Sequence, residues 1–161
     1  MFQLIIAIIA IALVAVLAVA SLYYGGSAFS NGSTKAAAST VVSQAQQISA
    51  ADVLFQNENA GGYAADVAAL VSSNYLASAP SMPAKIGSNL EMLSGTAHVF
   101  GTVANAEICK AINDQTGFDN SAVTDDGTGT SLASALTTAN VQYGCAADNA
   151  ATPTKWTFAY L

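Results

Sequence analysis

The first 24 residues, MFQLIIAIIAIALVAVLAVASLYY, carry no charge, and only Gln3 and Ser21 bring strongly polar side chains. Such a run is satisfied as a helix, which closes its own backbone hydrogen bonds, and at 1.5 Å per residue it would be about 36 Å long. That is enough to cross the hydrocarbon core of a bilayer. A helix that is apolar on every face must be covered on every face. Whatever this chain folds into has to supply that cover.

Three covers come into question. A cleavable signal peptide would explain Ala18-Val19-Ala20 as a small-residue cut site. It lacks the basic n-region, however, and the apolar run exceeds the usual h-region. A plain membrane anchor would carry Lys or Arg on its cytoplasmic flank, yet the first cation here is Lys35, on the far side. The third reading is a helix that starts in a membrane and ends in the core of a filament, where copies of itself provide the burial. It accounts for the missing orienting charge if a basic leader once preceded Met1. The side chains it commits to filament-core packing are Met1, Phe2, Gln3, Leu4, Ile5, Ile6, Ile8, Ile9, Ile11, Leu13, Val14, Val16 and Leu17. Ala7, Ala10, Ala15 and Ala18 would let neighbouring helices approach closely.

Beyond residue 24 the character of the chain changes, and four segments are expected. Residues 1–24 form the apolar helix. Residues 25–32 are a Gly-rich interruption, with Gly25 and Gly26 as the break or flexible point. Residues 33–59 are an amphipathic helix: Val41, Ala45, Ile48, Ala51 and Phe55 recur every three or four positions, with Gln44, Gln46, Gln47 and Asp52 between them. Residues 60–161 are a globular α+β head. In it Asp66, Val67, Leu70 and Leu76 mark a short helix ended by Pro80 and Pro83. Strands are predicted near Ile86–Met92 and Ala97–Val103, joined by a turn at Ser94-Gly95-Thr96. A helix is predicted over Ala104–Asn113 and a polar loop over Asp114–Thr130. Leu132–Ala139 reads either way, and the alternating Trp156, Phe158 and Tyr160 give a half-buried last strand.

Charge and chemistry remove several function classes. The net charge is −6, and Lys35, Lys85, Lys110 and Lys155 are the only cations besides His98. Four scattered lysines do not make the basic face that nucleic-acid binding needs. A single histidine leaves no Ser-His-Asp set except through His98, which reads as a structural residue. Thr124–Thr130 resembles a calcium loop only faintly and is read as solvated. No cofactor or metal site and no enzyme activity is expected. Cys109 and Cys145 cannot complete a four-ligand zinc site. They read as a disulfide, which would mean an oxidising compartment, or else as two buried thiols.

An apolar helix, an amphipathic one, then Tyr63, Asp66, Leu70 and Tyr75-Leu76, then two cysteines with an aromatic strand after the second, resemble the type IV pilins and their secretion-system relatives. The long span between the cysteines is more similar to the type IVb branch and to thin conjugative-type pilins. The resemblance covers nearly the whole chain. It implies a cell-surface pilus of identical subunits for adhesion, motility, DNA transfer or phage reception. The implied partners are a prepilin peptidase, an inner-membrane assembly platform with a motor ATPase, and an outer-membrane secretin. The unassembled subunit would reside in the inner membrane, with a processed and methylated N-terminus. One feature departs from the family: its Glu near the mature N-terminus has no counterpart, since Ile5 stands there if Met1 is that terminus. A minor pilin or pseudopilin, and a membrane-anchored monomeric binding domain, are the other expectations.

Overall fold

The computed structural model describes residues 2–93, 95–121, 123–125, 127–148 and 155–161, with the side chains of residues 24–28 excepted. Met1 of the core-packing set and Ser94 of the expected turn lie outside the described residues. Packing divides the chain between Thr34 and Lys35, and the second unit runs Lys35–Leu161.

One helix, α1, runs Phe2–Glu58. The interruption expected at Gly25 and Gly26 is therefore corrected: the backbone stays helical through both. Each glycine costs a helix interior about 1 kcal/mol. Breaking there would forfeit several hydrogen bonds and require a second, unfavourable nucleation.

In the Lys35–Leu161 unit, α1 turns Ala38, Val41, Val42, Ala45, Ile48 and Ala51 into the core. That is the face the three-and-four spacing predicts. Asp52 departs from it. The sequence places Asp52 among the solvated residues, yet it is fully buried. Its Oδ1 accepts from the backbone N–H of Ala64 at 2.9 Å and its Oδ2 from Gln56 Nε2 at 2.8 Å. The carboxylate thus fastens the chain that leaves α1 back onto the helix. The short helix α2, Val67–Ser72, follows, and Asp66 caps it by accepting from Ala69 N–H at 2.7 Å.

The sheet has four antiparallel strands in the order β1 (Glu91–Met92), β2 (Val99–Val103), β4 (Trp156–Tyr160), β3 (Tyr143–Ala147). This α+β architecture is the one expected. β1 is shorter than the predicted Ile86–Met92, because Gly87 bridges Val103 where a Cβ would meet the Thr102 carbonyl. The Ser88 N–H then donates to Thr102 O while its hydroxyl accepts from Thr102 N–H, so a side chain takes one place in what would be a ladder. β3 is absent from the expected elements. Its sequence YGCAA has little β-branched or aromatic content, and its pairing with β4 from Tyr143↔Tyr160 to Ala147↔Trp156 makes it a strand.

Helix α3, Ala106–Thr116, is capped by Asn105 and stopped by Gly117 in the left-handed region. Helix α4, Thr130–Ala139, settles the ambiguous stretch. Two apolar clusters result. Phe158 and Tyr160 pack with α1 and α3, whereas Ala159 and Ala146 pack with Leu132 and Leu136 of α4 and with Phe118. The alternation along β4 thus serves two layers. Gly144 sits where a Cβ would lie 2.7 Å from Leu136 Cδ2 and 2.8 Å from Phe118 Cδ1.

Asp52→Ala would leave the Ala64 N–H buried without its acceptor. It is expected to lower unfolding free energy by about 1–3 kcal/mol, whereas Ser43→Ala on the exposed side of α1 should change it by less than about 0.5 kcal/mol. Chemical denaturation of both variants checks this, and equal losses would contradict the fastening role.

Candidate assembly surface

The Phe2–Tyr23 stretch of α1 is long and apolar enough to cross a membrane, and none of it is buried within the chain. Ile5 and Ile9 remain 53% and 54% exposed, and Leu4, Val14 and Leu17 are each 67% exposed. No charge interrupts it. Ser21, one of its two polar side chains, donates back to Leu17 O at 2.9 Å and Ala18 O at 3.0 Å. Its hydroxyl therefore makes no demand on an apolar surrounding. Gln3 is left as the one carboxamide. The described core-packing residues, Phe2 through Leu17, thus form a continuous surface that an apolar partner must cover. By length and composition the stretch suits a membrane anchor or a signal sequence equally well.

The outward side of α1 in the Lys35–Leu161 unit has its own peculiarity. Ser39, Ser43, Gln46, Gln47, Ala50, Val53, Leu54 and Asn57 are exposed. Between Lys35 and Glu58 the only charged residue is Asp52, and it is turned inward. Solvent-facing helix sides in soluble domains carry charged or polar residues, and here the polar ones are uncharged. Among the described residues of this unit, the exposed large apolar side chains are Val53, Leu54 and Tyr63, all at or just beyond the end of α1. Sequence reasoning missed this uncharged side. Its signal was available, since 22 residues separate Lys35 from Glu58 with one carboxylate between them.

The end of α1 is held to the segment after α2. Tyr75 donates its hydroxyl to the Glu58 carboxylate, and the rings of Phe55 and Tyr75 meet edge to face at 5.5 Å. The bond to Glu58, with some burial, holds the Tyr75 phenol above its ordinary range.

Cys109 and Cys145 form a disulfide with Cα atoms 5.3 Å apart, joining α3 to β3. Both are buried. Asn113, one turn beyond Cys109, donates from Nδ2 to Cys145 O at 2.9 Å and accepts from Cys145 N–H at 2.8 Å. This second clasp also escaped sequence reasoning; the only hint was an Asn four residues after a cysteine on a predicted helix.

The remaining candidates for chemistry are His98 and the loop before α4. His98 lies just before β2, half-buried, and its Nδ1 is buried without a hydrogen-bond partner. Burial lowers its pKa. The loop before α4, read as solvated, is corrected at Asp125. That carboxylate is buried and accepts from the N–H groups of Gly127, Gly129 and Leu132 at 2.9–3.0 Å. It organises the entry to α4. Asp126 lies outside the described residues. Among the described residues no three His, Cys, Asp or Glu converge on a possible metal position.

No protein-family model, curated protein or solved structure matches this chain. The apolar helix, the antiparallel head and the disulfide are compatible with a pilin-like fold.

Replacing both cysteines with Ser is expected to cost the fold about 3–4 kcal/mol from loss of the loop constraint, read by denaturant unfolding with and without reductant. A second expectation concerns pH. With its folded pKa below the ordinary 6.5, His98 takes up a proton more readily in the unfolded chain. Its contribution is complete above 6.5 and declines as pH falls toward the folded pKa. His98→Gln should flatten that part of the stability profile, and an unchanged slope just below 6.5 would refute the assignment.

Proposed function

We propose that this chain is the structural subunit of an extracellular type IV pilus-like filament, polymerised through packing of its N-terminal helix against other copies. The observation that carries the reading is the uncharged, uncovered surface of α1. It is apolar on all sides over Phe2–Tyr23, and it carries no charge on its outward side between Lys35 and Glu58. A lipid bilayer could cover the first part but not the second. Copies arranged side by side with an axial offset cover both. Such packing is heterologous, one surface against a different one, and extends without closing.

The disulfide between Cys109 and Cys145 supports a role outside the reducing cytoplasm. By resemblance, the unassembled subunit would wait in the inner membrane. A prepilin peptidase, an assembly platform with its motor ATPase and an outer-membrane secretin would then handle it. The role is structural rather than catalytic. The Phe2–Leu17 stretch holds no acidic residue, so helix packing there would rely on apolar contact and on Gln3 rather than on a charge pair.

Ile9→Asp or Val14→Asp tests this directly. Burying an unpaired carboxylate costs several kcal/mol, so surface fibres should fall at least about 100-fold, while circular dichroism shows a folded head. Size measurement after mild detergent extraction supplies the other arm. Long polymers support the filament, whereas a discrete single-subunit particle, with the Asp variants failing to insert in membrane, would establish a monomeric anchored domain instead.

A further inference from the structure

A second surface is independent of the filament reading. Between α3 and the start of β4 lies a cleft of about 290 Å³. Trp156, Phe118, Lys110, Asp114 and Asn120 are among the side chains that line it. Trp156 is half-buried, Lys110 and Asp114 are exposed one turn apart on α3, and Asn120 is half-exposed. The volume is at the lower edge of small-molecule sites, which suits a ligand of one ring.

The α3 side of the wall is fixed before any ligand arrives. Cys109 and Asn113 also line the cleft, and they tie α3 to β3 by the disulfide and by two hydrogen bonds. A site on cross-linked elements loses little freedom on binding. Its chemistry is mixed. One ammonium and one carboxylate leave it without net charge, so neither a strong anion nor a strong cation is favoured. Lys110 donates, Asp114 accepts and Asn120 does both, while the indole offers an apolar face and one N–H. A ligand matching all of these has hydroxyls that donate and accept around a ring with an apolar face. The geometry points to a saccharide-binding cleft: one sugar unit rests on Trp156, with its hydroxyls bonded by Asp114, Asn120 and Lys110.

Trp156 is the only tryptophan in the chain, so its fluorescence reports the cleft alone. The full chain, held in a detergent without sugar headgroups, is titrated with methyl glycosides of glucose, galactose and mannose and with N-acetylglucosamine. Glycerol serves as the solvent control. The expected result is a saturable change in emission with at least one sugar and none with glycerol. Asp114→Asn and Asn120→Ala should weaken that response at least tenfold without moving the melting temperature. A flat titration with every sugar overturns the proposal, as does a response that glycerol reproduces or one the two variants leave unchanged. Because the measurement uses dispersed chains, loss of fibres in the Ile9→Asp and Val14→Asp variants has no bearing on it.

Discussion

A helix with apolar side chains on every face has no stable existence in water by itself. That constraint governs this protein. At roughly 25 cal/mol per Å² of apolar surface, covering such a helix is worth far more than any single contact in the head. Residues 2–23 are uncovered within the chain, so their cover comes from lipid or from other molecules. The same helix continues into the head and buries one side there in the ordinary way. α1 therefore serves two kinds of packing in one element, and the change between them comes where the apolar residues retreat to every third or fourth position.

The head's apolar core is locked at its joints by a few polar fasteners. Asp52 ties the exit from α1, Asp125 the entry to α4, and Asn113 the junction of α3 with β3. Each carries backbone N–H groups that would otherwise be buried without acceptors, a loss of about 1–3 kcal/mol apiece. The disulfide lies beside the last of these, so covalent and hydrogen-bonded restraint coincide on the same pair of elements. The cleft beside Trp156 is lined on its α3 side by residues of that restrained helix.

Much of the fold was legible because it rests on periodicity. Val41, Ala45, Ile48 and Ala51 face the core as their spacing requires, and Trp156–Tyr160 is a strand as its alternation requires. Asp66 caps α2, a role open to an aspartate before a helical stretch. What escaped were residues whose role depends on a distant partner or on a whole element. Gly25-Gly26 reads locally as a break, but local propensity is small beside the cooperativity of a long helix. Asp52 and Asp125 read as solvated, since a carboxylate is ordinarily outside. The acceptor role that buries each is set by the chain folding around it. β3 has almost no local strand signal.

By itself the sequence determined that residues 1–24 form an apolar helix demanding external cover, and that an α+β head with two paired or buried cysteines follows. Both conclusions rest on composition and on spacing along the chain, which are one-dimensional properties. The tertiary structure alone decided that the two cysteines meet, that Asp52, the one carboxylate between Lys35 and Glu58, is turned inward, and that Asp125 is buried. Those facts depend on which residues far apart in sequence come within a few ångströms, and hydrogen bonds and desolvation act only at that range.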